Sequence, residues 1–243
     1  MDLPPAVSVI VPVLHETRII EQACAHLMAA CSGCKAEIII VDGDRCGSTI
    51  NLVNLKQIRT LTAPRGRAAQ MNAGASAARG RMLLFVHADT RLPEGAVRDV
   101  LKISRRPAIA GGAFLLGIAS EKGFFRMAEA WANLRCRLTR IPYGDQAVFM
   151  KKRIFRELGG YADIALMEDI DLMQRLKQNG LKIALIQKPV LTSARRWEKE
   201  GRIFGMIRNN LLSSLYYAGV KPALLEKFYK NQNRPSLRPK MHL

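Results

Sequence analysis

The chain has 243 residues, 49% of them apolar and 24% charged, which suits one sizeable domain whose core needs no disulfides. Its 38 Lys and Arg against 20 Asp and Glu give a net charge of +18, which favours polyanions, diphosphates or anionic membrane surfaces as partners. No apolar run is long enough to read as a membrane span, and MDLPPAVSVIVPV lacks the basic opening of a signal peptide, so a cytoplasmic protein is expected.

The first third alternates strand and helix signals. Ser8–Leu14 predicts a strand, Glu16–Ala30 a helix, and Glu37–Val41 a second strand ending at Asp42-Gly43. Gln57–Leu61 is a weaker third strand, Gly66–Ala78 an Ala-rich helix, and Met82–Val86 a fourth strand. Such alternation implies βαβ crossovers and a mostly parallel sheet. The unbroken apolar runs EIIIV and MLLFV suit strands covered on both faces.

Beyond Pro93 the pattern changes. A helix runs to Ser104, GGAFLLGI over 111–118 is a strand, and Gly123–Leu138 is helical. Gln146–Met150 predicts a strand, Lys152–Leu158 a short helix, and Met167–Asn179 a helix stopped by Gly180. Lys182–Ile186 and Val190–Ser193 read as two late strands, Glu198–Tyr217 as a helix, and NQNRPSLRPKMHL as a disordered tail. The domain boundaries expected are 1–197, with halves 1–92 and 93–197, followed by a basic helical extension and flexible tail over 198–243.

Five cysteines form no framework. The odd count implies reduced thiols, and the Cys31-Ser-Gly-Cys34 pair has no second pair at metal-ligand spacing.

Ligands of open α/β sheets bind beyond the carboxyl ends of the strands. Three polar clusters fall there: Asp42-Gly43-Asp44, His87-Ala88-Asp89-Thr90, and Arg65-Gly66-Arg67 with Asn72 and Gly74. Asp42 suits the N–H of a base or ribose hydroxyls. Asp89 suits Mg²⁺ or Mn²⁺, which keep waters and bind phosphates through one or two carboxylates. Arg67 at a helix start would face a diphosphate. Each residue also has an ordinary reading: Asp44 as a turn residue, Gly74 as room for close helix packing, His87 as a packed side chain.

A fourth cluster, Met167-Glu168-Asp169-Ile170-Asp171-Leu172, opens a helix with Ile170, Met173 and Leu176 on its apolar face. Glu168 and Asp169 then occupy the first turn, where the helix dipole favours carboxylates by about 0.3–1 kcal/mol. They read either as helix-end electrostatics or as a general base for a hydroxyl proton. Spacing alone does not choose.

The ordered set SVIVPVLHE, IIIVDGD, RGRAAQMNAG, LLFVHADT, GGAF, YGDQAVFM and MEDIDLMQRL resembles the inverting family-two glycosyltransferases of the GT-A fold. Within them it is similar to the radical-SAM/selenodomain-associated transferase 2 subgroup, from Ser8 to Trp197. The resemblance implies a Rossmann-like sheet flanked by helices, a nucleotide-diphospho-sugar donor, uridine-linked by the family's habit, and a divalent metal, Mn²⁺ or Mg²⁺. It also implies residue roles. Pro12 and Glu16 would line the nucleobase pocket, Asp42 would contact the base with Asp44 nearby, and Arg67 and Asn72 would flank ribose and diphosphate. Asp89 would hold the metal, as the last carboxylate of an Asp-x-Asp motif whose first position here is His87. Asp169 would be the catalytic base, with Glu168 as fallback and Asp145, in Tyr143-Gly144-Asp145-Gln146, as a competing acceptor-site acid. Arg195 would sit on a loop closing over the diphosphate; a basic domain edge with Trp197 packed is the other reading.

The extension repeats Ile203, Phe204, Ile207, Leu211, Leu212 and Leu215 near helical spacing, with Arg202 and Arg208 between them. Such a helix either lies on an anionic membrane, bringing the enzyme to a lipid-linked acceptor, or packs on the domain. Two rivals come from other classes. A nucleotidyltransferase would share the nucleotide-binding half. A nucleic-acid-binding protein would explain the charge, yet no helix-turn-helix, zinc finger or aromatic RNA-binding signature is present, so no nucleic-acid partner is expected.

Overall fold

The computed structural model describes residues 4–195 and 202–232. Its elements begin with β1 (Val7–Val13), α1 (Ile20–Cys31), β2 (Ala36–Asp42), β3 (Ile58–Thr62), α2 (Arg67–Ala77) and β4 (Met82–Phe85). β1 pairs in parallel with β2 and β4, and β2 with β3. Every residue of β2 but Ala36, and every residue of β4, is buried, as strands covered on both faces require. Helix α2 lies close on β1 and β2 because Gly74 has no side chain: a Cβ there would stand 2.4 Å from Ile10 Cγ2 and 3.1 Å from Val41 Cγ2.

The chain continues through β5 (Thr90–Arg91), α3 (Ala96–Ser104), β6 (Ile109–Ala119), α4 (Gly123–Thr139), β7 (Phe149–Lys151), α5 (Lys152–Glu157), α6 (Glu168–Gln178) and β8 (Lys182–Ser193). One eight-stranded sheet results, ordered β3-β2-β1-β4-β7-β6-β8-β5. β7 is antiparallel to both β4 and β6, β6 and β8 are parallel, and β5 is antiparallel to β8. The α/β class with a mostly parallel sheet flanked by helices is therefore observed.

Several boundaries differ from expectation for local reasons. α1 starts at Ile20 rather than Glu16, since His15 takes φ +56° and residues 16–19 form a turn. α3 starts after Gly95, whose φ of +71° follows a turn opened by Pro93. β7 begins only at Phe149 because Gly144–Gln146 form a 3₁₀ turn and Ala147 takes φ +46°. The two late strands expected are one strand, β8: an irregularity between Ile186 and Pro189 absorbs the missing proline N–H without ending the pairing to β6.

The chain divides into two compact units. The first comprises Met1–Asp163 and Glu168–Ala194, and holds the whole sheet. The second gathers Ile164–Met167 with the chain from Arg195 onward. It contains α7 (Arg202–Tyr217) and α8 (Pro222–Gln232), joined by the Arg208 guanidinium 4.5 Å over the Tyr229 ring. Of the apolar face expected on α7, Leu212 is buried and Leu211 is exposed, while the side chains of Ile203, Phe204 and Ile207 lie outside the described residues. α8 was not expected, although Pro222 at its first position is a helix-start signal. Arg196, Trp197 and most of the expected tail lie outside the described residues. No helix among the described residues is long and apolar enough to cross a membrane.

Candidate active site

The carboxyl ends of β1 and β2 are held together by one side chain. Gln70, 3% exposed on α2, donates through Nε2 to the carbonyls of Val13 (2.6 Å) and Val41 (2.9 Å). Beside it Asp42 is fully buried. Its Oδ1 accepts the Asp44 N–H at 2.9 Å, and its Oδ2 accepts those of Thr49 (2.9 Å) and Ile50 (3.2 Å). Where a direct base contact was expected, the carboxylate is turned inward and fixes the 44–50 loop. Asp44 is the turn residue of that loop, accepting the N–H of Cys46 at 3.1 Å and of Ser48 at 3.4 Å. Ser48 and Cys46, with His15 3.9 Å away, hold its carboxyl below the usual carboxylate range. Pro12 is half-buried at the end of β1, opposite Val41, and the Glu16 N–H donates to Thr49 Oγ1 at 3.1 Å. Pro12, Glu16, Asp42 and Asp44 thus border one loop cluster.

A second set joins α2 to α6. Arg67, in the first turn of α2, puts Nε 2.9 Å from Oε1 of Glu168, which is 3% exposed at the start of α6. Burial pushes the Glu168 carboxyl above the usual range; Arg67 opposes that shift and Asp169 adds to it. Burial alone would weaken the Arg67 charge, but Glu168, Asp169 and Asp145 outweigh it and hold the guanidinium above its ordinary value. Glu168 Oε2 is buried with no hydrogen-bond partner. The expected fallback base is therefore the buried partner of Arg67. Asn72, half-buried on α2, is engaged with backbone. Its Nδ2 donates to the Tyr161 carbonyl at 2.8 Å and its Oδ1 accepts the Tyr161 N–H at 2.9 Å. Both ends of the amide are used on backbone, so Asn72 ties α2 to the turn at 159–161. Arg175 of α6 holds the same turn through the carbonyls of Leu158 and Gly160.

Asp169 meets the 143–146 turn. Its Oδ2 accepts the Gly144 N–H at 2.6 Å and its Oδ1 the Ile170 N–H at 2.8 Å, leaving the carboxylate half-buried. A Cβ on Gly144 would stand 3.4 Å from Asp169 Oδ2 and 3.5 Å from His87 Nε2, so His87, Gly144 and Asp169 converge. The neighbouring Asp145 carboxyl is pushed up to about 6, first by burial and then by the Asp169 charge, against the pull of Arg135 and Arg67. Arg135 of α4 lies 3.4 Å over the Tyr143 ring. Tyr161, 3% exposed, has its phenol pushed well above the usual range, first by burial and then by Asp169 and Glu168.

Asp89, half-buried, follows β4, and Thr90 beside it keeps a buried hydroxyl with no hydrogen-bond partner. Among the described residues no three His, Cys, Asp or Glu side chains form a metal-holding cluster. The oxygen donors of Asp89 and Thr90, with His87 two residues earlier, instead suit a hard cation that takes the rest of its ligands from water and phosphate. Arg195 is exposed at the start of the second unit. Burial, with Cys34 nearby, raises the Cys31 thiol to about 11, which suits packing better than reactivity.

Gln70, Arg135, Gly144 and Tyr161 were missed as site residues. Gln70 and Tyr161 carry no motif signal of their own, and Gly144 acts through its backbone N–H. Arg135 lies in a helix whose register toward Tyr143 only the fold supplies.

The model of the family described as "Glycosyl transferase family 2" matches residues 8–159, well over half of the chain, and the protein belongs to that family. Among solved structures the chain is similar to the mannosyltransferase PcManGT from Pyrobaculum calidifontis, described in complex with GDP-Man and Mn²⁺. The TM-score is 0.59 at 20% identity, over 79% of this chain and 57% of that one. It is similar also to residues 1–349 of TarS from S. aureus, at TM-score 0.59 and 14% identity, over 83% of this chain and 63% of that one. This chain thus spans about three-fifths of those two chains, and at these identities the likeness establishes the GT-A fold. No curated protein matches.

Proposed function

We propose that this chain transfers a glycosyl group, with inversion, from a nucleotide-diphospho-sugar to an acceptor hydroxyl. The observation that carries this reading is the convergence of Asp169, Gly144 and His87 beside the Arg67–Glu168 pair, at the end of the sheet where such ligands bind. Family membership and the GDP-mannose in the PcManGT complex support the donor class. A uridine-linked donor is the reading carried from sequence, and guanosine is its competitor.

In this mechanism Asp169, held by two amide N–H groups, accepts the proton of the acceptor hydroxyl as the oxygen attacks the anomeric carbon. The leaving diphosphate departs from the opposite face, so configuration inverts. Arg67, steered by Glu168, and the amide N–H groups at the start of α2 face the developing charge. Asp145 shapes the acceptor side, and Pro12, Glu16 and the loop fixed by Asp42 and Asp44 border the base. A divalent cation, Mn²⁺ as in the PcManGT complex or Mg²⁺, would be held by Asp89 with His87 and would neutralise diphosphate charge when bound.

A melting-temperature panel of uridine, guanosine and other nucleoside diphosphates, with and without Mn²⁺, tests the reading. Ligand at 100 times its Kd stabilises by about 2.7 kcal/mol, so one base should raise the midpoint clearly, and more with metal. A response to nucleoside triphosphates alone, with pyrophosphate as product, would instead indicate nucleotidyl transfer.

A further inference from the structure

Basic segments that are far apart in the chain meet at the amino end of the sheet, opposite the candidate active site. Met82, the first residue of β4, pairs with Lys151, the last of β7. The two strands are antiparallel, so the step from β7 into α5 arrives where β4 begins. Ser104, at the end of α3, forms part of the same wall. Between these elements lies a cleft of about 430 Å³, lined by Arg81, Lys151, Lys152, Arg153 and Arg156 against a single carboxylate, Glu157. That volume falls in the range of small-molecule sites, about 300–1,000 Å³. Asp89, by contrast, follows the carboxyl end of β4.

The existing contacts of each cation decide what the cleft can hold. Arg153 pairs with Glu157, Nη1 to Oε1 at 2.8 Å. Lys151 Nζ donates to the carbonyls of Arg106 (2.8 Å) and Pro107 (3.2 Å), and Lys152 Nζ to that of Ala78. Carbonyls fix these ammonium groups in place but leave their charge uncompensated. Arg81 and Arg156 are exposed, and among the described residues neither guanidinium has an ion pair or a hydrogen bond. Burial, and then the Arg156 charge, pull the Lys152 ammonium below its ordinary value, with Glu37 opposing. Glu37 is itself held by Arg59 and Arg79. Like charges are thus crowded around the recess, and an anion among them would relieve the repulsion. A merely solvated basic face needs no recess.

We infer that this cleft binds a phosphorylated ligand, a compact and multiply charged anion gripped by the guanidinium groups of Arg81 and Arg156, with Lys152 supplying charge from the wall. A planar guanidinium fork meets phosphate oxygens two at a time, which an ammonium cannot do. A recess of this size suits a phosphate ester or a diphosphate. A nucleic-acid strand would need a groove that tracks its backbone. The phosphate group is the same whether it comes free in solution or on a lipid headgroup. This site stands at the other end of the sheet from Asp89 and Asp169, and it does not rest on the proposed glycosyl transfer.

Pyrophosphate is the probe, titrated by calorimetry into the full chain without metal. A diphosphate can also enter the carboxyl end of the sheet, so the readout is the difference between variants. The Arg81→Gln, Arg156→Gln variant should weaken one binding event by about tenfold per guanidinium lost, at an unchanged ligand-free melting temperature. Arg81→Lys with Arg156→Lys keeps the charge without the fork and should fall between that variant and wild type. Lys35→Gln with Lys56→Gln removes the same charge from exposed positions elsewhere and should bind as wild type does. Equal weakening in the two glutamine variants, or wild-type affinity in the Arg81, Arg156 one, would overturn the site. Loss of a duplex oligonucleotide from that variant with pyrophosphate affinity intact would overturn it too, making the face a nucleic-acid surface. Flotation on phosphatidylcholine vesicles with and without phosphatidic acid identifies the source. Flotation lost with the two guanidinium groups assigns the phosphate to a lipid. Flotation equal in both forms, with pyrophosphate affinity reduced, assigns it to a soluble ligand.

Discussion

Arg67 and Glu168 meet with Nε 2.9 Å from Oε1, joining the first turns of two helices about a hundred residues apart in the chain. The carboxylate is 3% exposed and the guanidinium 42%. Burying the acid while leaving the base partly open makes the pair asymmetric: Glu168 depends on Arg67 more than the reverse.

Arg67→Ala should therefore leave a buried, unpaired carboxylate and cost about 3 kcal/mol, the lower end for a broken buried pair. Glu168→Gln frees Arg67 into water at lower cost. Chemical denaturation of both variants and the double variant checks this through the coupling energy. Donor affinity should fall for both single variants, more for Arg67→Ala.

Asp145 links stability to pH. Its carboxyl is raised from 3.8 to about 6, so the fold favours the neutral acid. The contribution is full below pH 3.8 and is lost as pH rises through about 6. Ionisation above that range opposes folding by about 1–2 kcal/mol, after discounting for the partial exposure of the group. Asp145→Asn should raise the melting temperature at pH 8 and leave it unchanged near pH 4. A variant equally affected at both values would place the effect outside titration.

At the amino end of the sheet the opposite sign holds. Glu37, 6% exposed, accepts Ser8 Oγ at 2.7 Å, the Arg79 N–H at 2.6 Å and Arg59 Nη1 at 2.9 Å. Burial would raise its carboxyl, but these donors and the Arg79 guanidinium prevail and bring it from 4.5 to about 2. Stability from this group is present above pH 4.5 and lost as pH falls through about 2. Because both arginines are well exposed, the contribution is about 2 kcal/mol rather than the full linkage value. Glu37→Gln should unfold more readily at pH 7, with the difference from wild type shrinking toward pH 2.

The sheet was legible because its signals are local. IIIVD and MLLFV announce buried parallel strands, and the polar residues after them mark the ligand end. The site was less so. Asp169, Gly144 and His87 come from three separate segments and meet through a backbone N–H that no residue type advertises. Asn72 and Asp42 looked like ligand-facing groups because a free amide and a carboxylate near a strand end suit that role; backbone partners for both, and burial for Asp42, are tertiary facts that give them structural work. Pro189 misled about β8, since a sheet can absorb a missing N–H in a bulge.

The assignment of Asp169 as base meets its most direct test in Asp169→Asn, assayed for donor affinity by calorimetry and for turnover under saturating substrates. The amide keeps the size and a hydrogen-bond acceptor for Gly144 but cannot take a proton. Turnover should fall by about 10²–10⁴-fold, the range for losing a general base, while donor Kd stays within about a factor of two. Wild-type turnover in that variant, or a collapse of donor affinity with turnover intact, would contradict the assignment.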